Sequence, residues 1–267
     1  VKNDQAAALQ SSVTPVDPSR PLLEIDNVTL QYKTSDSLVT ATQQVSFNVH
    51  PSDRYILLGP SGCGKSTLLK AIGGYLQPTS GKIRLKGREV TQPGPDRMMV
   101  FQEFDQLLPW KTVRQNVEFA LHASGRLQGK EASDRAAYYI EKVGLAKFID
   151  SYPHTLSGGM KQRVSIARGM AMEPDVLLMD EPFAALDALT RRKMQDELLR
   201  LWDDTNFTVL FVTHSIEEAI RIGTRILLLS PHPGQVRAEL NSIPPEEMGT
   251  ASQAQLEQRI NDMLFAH

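Results

Sequence analysis

Gly59-Pro60-Ser61-Gly62-Cys63-Gly64-Lys65-Ser66-Thr67 follows the apolar run Tyr55-Ile56-Leu57-Leu58 and leads into Leu68-Leu69-Lys70-Ala71-Ile72. That order reads as a buried strand, a glycine loop and a helix. The glycines remove Cβ atoms that would keep the backbone away from a polyphosphate. Successive N–H groups and the positive end of the following helix can then point at phosphate oxygens. Lys65 is placed to reach the β- and γ-phosphates, and the Ser66 hydroxyl to meet Mg²⁺. Gly59, Pro60, Ser61, Gly62, Cys63, Gly64, Lys65, Ser66 and Thr67 are therefore the candidate residues of a nucleoside triphosphate site. Cys63 reads as a small loop residue, although a place just before a helix start can also make a thiol reactive.

The chain has 267 residues, 41% of them apolar, enough for one sizeable core and short for two independent enzymes. A formal net charge of −2 offers no basic surplus for nucleic acid. No window holds the roughly 18 apolar residues of a membrane span, and Val1 to Pro21 lacks the apolar core of a signal peptide. A soluble, cytosolic chain is expected. Cys63 is the single cysteine, which excludes an internal disulfide and suits a reducing compartment.

Residues 1–21 are rich in Ser, Pro, Gln and Asp without a period and read as a flexible arm. Leu23, Ile25, Val28 and Leu30, the alternating Val45, Phe47 and Val49, and Ile83 with Leu85 suggest an antiparallel sheet flanking the glycine loop. Continuous apolar runs at Tyr55–Leu58, Met98–Phe101, Val176–Met179, Val209–Val212 and Ile226–Leu229 are the pattern of buried parallel strands. Helical patterns between most of them predict a doubly wound α/β core with ligands at the carboxyl ends of the strands. Met194, Leu198, Leu201 and Trp202 share one helical face after Asp187, and Ser215 with Glu218 has capping-box spacing. Residues 103–156 interrupt the alternation as a helical insertion. In the tail, residues 241–267, Ser252 and Gln255 again have capping-box spacing ahead of a terminal helix, which Pro244-Pro245 separates from the core.

The run Val176-Leu177-Leu178-Met179 ends in two carboxylates. Asp180 is placed to hold a Mg²⁺ shell, and Glu181 to take a proton from attacking water. Upstream, Leu156-Ser157-Gly158-Gly159 sets a serine N-cap and two glycines at a second helix start. A simple cap is one reading. A second anion-binding helix start is hard to use on the same triphosphate, unless it serves a nucleotide held by another copy of the chain.

With these motifs the sequence resembles the nucleotide-binding subunits of ABC transporters over about residues 22–240. The resemblance implies a P-loop ATPase core with a parallel sheet, a flanking antiparallel β-subdomain and an inserted helical subdomain. It implies that Ser157, Gly158 and Gly159 cover the γ-phosphate of ATP held by the opposite subunit. It also gives Gln102 as a sensor of Mg²⁺ and water, Ala185-Leu186-Asp187 as a contact to that subunit, His214 as the switch histidine and Tyr32 as the adenine stack. ATP and Mg²⁺ are the implied ligands. Lys65, Gln102, Glu181 and His214 are then the catalytic set, and Ser66, Gln102 and Asp180 the metal set. Two departures stand out: Met160 replaces a common glutamine, and Ser52-Asp53 replaces a Gly-Glu turn.

Gln92-Pro93-Gly94-Pro95-Asp96-Arg97, Leu107-Leu108-Pro109-Trp110 and Ser230-Pro231-His232-Pro233-Gly234 are similar to the nitrate, sulfonate and taurine importer branch. The implied partners are a second ATPase subunit, two membrane-spanning permease subunits and a solute-binding protein, at the cytoplasmic face of the inner membrane. Phe104, Leu107, Leu108, Pro109 and Trp110 form a candidate groove for a short permease helix. Packing of the helical insertion is the other reading of those side chains. Relatives acting on nucleic acid or protein scaffolds are the alternative class, but neither a long coiled coil nor a second cassette is present. A non-enzymatic sensor is a further alternative, disfavoured by Glu181 and His214.

Overall fold

The structure is a computed structural model that describes residues 20–33, 37–101 and 106–265. In chain order, the first elements are β1 (Leu23–Lys33), β2 (Leu38–Val49), β3 (Arg54–Leu58), α1 (Lys65–Ile72), β4 (Ser80–Leu85), β5 (Arg88–Glu89) and β6 (Arg97–Val100). Next come α2 (Val113–Ala123), α3 (Gly129–Lys142), α4 (Gly158–Ala171), β7 (Val176–Asp180) and α5 (Ala188–Thr205). The chain closes with β8 (Val209–Thr213), α6 (Ile216–Ile222), β9 (Arg225–Leu229), β10 (Val236–Asn241) and α7 (Ala251–Phe265).

These strands make two sheets. An antiparallel sheet runs β2-β1-β4-β5, and a larger sheet runs β10-β9-β3-β8-β7-β6. In the larger one β6, β7, β8, β3 and β9 are mutually parallel. Because side chains alternate along a strand, each parallel strand feeds two cores. Tyr55 and Leu57 join the core under the antiparallel sheet and α1, whereas Ile56 and Leu58 join the core under the helices. Apart from half-buried Met98 and Phe101, the five apolar runs are thus buried on both faces, which is why they read as continuous and not alternating.

The edge strand β10 is antiparallel to β9 and has no counterpart in the sequence reading. Its residues are exposed or half-buried apart from Leu240, so hydrophobic patterning carries little trace of it. The terminal helix α7 packs Ile260 and Leu264 into the helical-side core. Its start differs from the Ser252/Gln255 expectation: Thr250 Oγ1 accepts the Ser252 N–H at 3.3 Å, and Gln253 Oε1 accepts the Gly249 N–H at 2.8 Å. Thr250 with Gln253 is an equivalent pair two residues earlier, which local spacing alone cannot separate from the other.

The Ser52-Asp53 turn keeps a glycine-like conformation. Ser52 has φ 62, and the strain of that left-handed backbone is offset by its N–H on Thr208 Oγ1 at 2.9 Å and its hydroxyl on the Asn206 carbonyl at 2.9 Å. Asp53 accepts the His50 N–H at 2.8 Å and pairs with Arg225 at 2.9 Å.

Leu107, expected in the exposed groove, is 4% exposed and belongs to the helical-side core. Leu107 therefore follows the packing alternative. Trp110 in the same segment is 70% exposed. Phe104 lies outside the described residues.

Candidate active site

Parallel register sets the site. Leu58 at the end of β3 pairs with Thr213 at the end of β8, and Val212 pairs with Asp180 at the end of β7. The chain therefore leaves the sheet at one level in three places, releasing the glycine loop after Leu58, Glu181 after Asp180 and His214 after Thr213. This is the carboxyl edge where ligands bind in open α/β sheets.

The glycine loop is clasped from behind. Gly64 caps α1 at φ 92, and a Cβ there would lie 2.5 Å from the Ala41 carbonyl oxygen of β2. A Cβ on Gly234 would lie 2.1 Å from the Cys63 carbonyl oxygen. Gly234 also donates its N–H to Ala41 O at 3.0 Å and accepts from Gln43 N at 2.9 Å. The Ser230–Gly234 segment, noticed in the sequence only as a likeness, thus ties the antiparallel sheet to the loop. Only glycine permits such close backbone approaches.

Lys65 is buried. Its ammonium donates to the Gly59 and Pro60 carbonyls at 2.8 and 2.9 Å and lies 3.9 Å from Cys63 Sγ. Cys63 itself is buried, and desolvation pushes its thiol up despite the opposing pull of Lys65. A protonated, covered thiol rules against the reactive reading of Cys63. Pro60 and Thr67 are half-buried and Ser61 is exposed at the loop mouth. Gly62 has φ 81, with open space where a Cβ would stand.

Ser66 Oγ donates to Asp180 Oδ1 at 2.7 Å, joining two members of the expected metal set across the sheet edge. Burial pushes the Asp180 carboxyl above its ordinary value, with the Ser66 hydroxyl pulling it down. Among the described residues no three His, Cys, Asp or Glu side chains gather as a metal cage. Mg²⁺ is usually held by one or two carboxylates together with substrate phosphates and water. A desolvated carboxylate touching one hydroxyl fits that donor set.

A raised folded-state value means that the folded chain holds the Asp180 proton more tightly than the unfolded chain. Ionisation then opposes folding, so this contribution falls as pH rises through the window above the unfolded value and stays unfavourable at neutral pH. Asp180→Asn is accordingly expected to melt higher than wild type at neutral pH without nucleotide, and to lose Mg²⁺-dependent hydrolysis. Thermal melting and phosphate release measure the two effects.

Glu181 has φ 43, a left-handed conformation that costs a non-glycine residue roughly 1–3 kcal/mol. Its N–H donates to Val212 O at 3.1 Å, and its Oε2 lies 2.9 Å from His214 Nδ1. The His214 side chain is 55% exposed. The strained turn thus brings together two residues that are 33 positions apart in the chain.

Ser157 caps α4, accepting the Met160 N–H at 3.3 Å. Gly169 of α4 lies against Leu177, Val100 and Met98, and Ser157 begins about 18 Å further along the helix axis. β6 is separated from β3 by β7 and β8, about 14 Å of strand spacing. Gly169 thus anchors the far end of α4 over β6 and β7, and no hydrogen bond or ion pair among the described residues joins Ser157, Gly158 or Gly159 to the phosphate loop. A Cβ on Gly159 would lie 3.2 Å from Thr190 Cγ2 in the first turn of α5.

Asp187 caps α5 by accepting the Thr190 N–H at 3.1 Å, and hydrogen bonding from Thr190 holds its carboxyl below the usual range. Tyr32 is half exposed near the end of β1, opposite Val39. Gln102 lies outside the described residues. Among those residues no helix is long and apolar enough to cross a membrane.

The family model for ABC transporters matches residues 42–184. The taurine import ATP-binding protein TauB of Rhizobium johnstonii is 51% identical over 203 residues, 76% of this chain and 77% of that protein. The nitrate import ATP-binding protein NrtD of Synechocystis sp. is 45% identical over 226 residues, 84% of each. The ATP-binding cassette MJ0796, solved as a dimer in a post-hydrolysis state with ADP and Pi, superposes with a TM-score of 0.71 at 32% identity, covering 83% of this chain and 99% of that one. The matched family model contains the glycine loop, the Ser157 helix start and both strand-end carboxylates, so the chain belongs to the ABC transporter family, as an ATP-binding cassette.

Proposed function

We propose that this chain is the ATP-hydrolysing subunit of an importer for a small anion, working as a pair of cassettes beneath two membrane-spanning subunits at the cytoplasmic face of the membrane. The observation that carries the hydrolytic part is the contact of Glu181 with His214 at 2.9 Å, one residue along the chain from the Ser66–Asp180 pair at 2.7 Å. A base candidate therefore follows directly on a carboxylate that bonds the Ser66 hydroxyl of the phosphate loop. The anion class is supported by the names of the taurine and nitrate import relatives.

In this reading the loop N–H groups and Lys65 hold the triphosphate, and Tyr32 stacks on the base. Ser66, Asp180 and Gln102 would hold Mg²⁺, which when bound neutralises phosphate charge. Glu181 orients the attacking water and takes its proton, with His214 bridging Glu181 and the γ-phosphate. Ser157, Gly158 and Gly159 of one cassette close over the nucleotide of the other, with Asp187 at the contact. That arrangement accords with the dimeric MJ0796 cassette. The residues around Trp110 meet the permease, and a solute-binding protein completes the complex.

The test is a pull-down of the chain from its native membrane fraction, with ATPase activity assayed on what co-purifies. A multi-spanning membrane protein is expected with the wild type. Trp110→Ala is expected to reduce its recovery by roughly 30-fold, the scale of one aromatic anchor. Recovery of nucleic acid or a soluble scaffold without a membrane partner would overturn the transport reading and leave the ATPase chemistry standing.

A further inference from the structure

A ring of buried and part-buried polar bonds holds the backbone on both sides of His214. Glu218, in the first turn of α6, is 7% exposed, and its carboxylate is met by two neutral donors. Gln195 Nε2 of α5 donates to Oε1 at 2.9 Å, and the Thr213 hydroxyl donates to Oε2. Thr213 Oγ1 accepts the Ser215 N–H at 3.0 Å, and Ser215 Oγ accepts the Glu218 N–H at 3.3 Å. The ring therefore fixes residues 213 and 215, which bracket His214. Glu218 does not complete the capping box that its spacing suggests, because its carboxylate turns to Thr213 and Gln195 and not to the Ser215 N–H.

Two features point to positioning and not to stability alone. A buried carboxylate is costly, and an apolar side chain could fill such a place at less expense. His214 is more than half exposed, so its ring direction depends on its backbone and on its bond to Glu181. We propose that Glu218, held by Gln195 and Thr213, is a positioning residue for hydrolysis, fixing the Thr213–Ser215 backbone so that His214 Nδ1 stays on the Glu181 carboxylate. The inference rests on the roles given above to His214 and Glu181. Gln195 lies about two turns beyond the Asp187 cap of α5, so the ring also joins that helix to the histidine.

The test is a double-mutant cycle on the full chain, read by single-turnover hydrolysis of Mg-ATP. Thr213→Val removes the hydroxyl and keeps the shape, and Thr213→Ser restores the hydroxyl. In the otherwise native chain Thr213→Val is expected to lower the rate by about tenfold to a hundredfold, the range that a small misplacement of a reacting group produces. Thr213→Ser is expected to stay within about threefold of wild type, and Thr213→Val to cause no further loss when added to His214→Ala. Gln195→Met tests the ring from its other side and gives the same pattern should Thr213→Val fail to fold. An equal loss in the presence and absence of His214, or no loss in the native chain, would overturn the inference. A wild-type chain without hydrolysis would instead remove the ATPase reading on which it rests.

Discussion

Glu181→Gln is expected to lower steady-state ATP hydrolysis by about 10²–10⁴-fold, the usual contribution of a placed general base. Glutamine keeps the length of the side chain and can still bond His214 across the 2.9 Å contact, but it cannot accept the proton of the attacking water. Nucleotide binding is assigned in the proposed function to the loop backbone and Lys65, so it is expected to persist. The variant should therefore accumulate as a nucleotide-bound pair of chains that closes and does not reopen. Phosphate release gives the rate, and light scattering with and without ATP gives the oligomeric state. Turnover at the wild-type rate would remove Glu181 from its proposed role, and slow turnover without dimer accumulation would separate the proton transfer from the closure.

Lys65→Ala is expected to lose at least a hundredfold in rate, about 3 kcal/mol of transition-state stabilisation, and to bind ATP poorly. The ammonium is fixed by the Gly59 and Pro60 carbonyls at 2.8 and 2.9 Å, and is thereby held beside the loop proposed to bind the phosphates. Alanine removes a buried positive charge from the point where the proposed site would gather negative charge. Lys65→Arg retains charge but carries a planar fork in place of a compact ammonium, so it is expected to remain strongly impaired. Binding of a fluorescent ATP analogue and single-turnover hydrolysis separate the two losses, and a thermal melt identifies any contribution from unfolding. A Lys65→Ala rate within tenfold of wild type would contradict the assignment.

Much of the candidate site is legible because its residues lie in short local signals. The glycine loop sits between an apolar run and a helix, and the Asp180-Glu181 pair ends a second apolar run. Ser157 precedes two glycines at a helix start. Each motif needs only neighbouring residues to be read, because strand ends and helix starts are local events. The parallel sheet was legible for the same reason, since burial on both faces leaves continuous apolar runs.

Other features had no such local mark. The edge strand β10 carries mostly polar side chains, and the choice of Thr250 over Ser252 as the cap of α7 depends on how the preceding turn arrives. Leu107 and Trp110 are close in sequence and both bulky, yet one is in the core and the other is exposed. Their spacing could not sort them, because what covers that segment depends on packing: Leu108 bonds Asn116 of α2, and the Gln106 carbonyl accepts from Arg168 of α4. Gln195 offered one small sign, an amide within the apolar stripe of α5, but its bond to Glu218 crosses 23 positions.

The sequence by itself determined the chemical inventory and the elements that carry it, since glycine freedom, helix caps and two-sided burial are properties of consecutive residues. Only the tertiary structure decided which residues meet. Register between β3, β8 and β7 brings Ser66 to Asp180 and Glu181 to His214. Packing of Ala41 and Gly234 against the loop fixes its shape, and a buried carboxylate holds the turn that presents the histidine. Such contacts follow from how separate strands and helices pack together, a long-range outcome that no local spacing encodes.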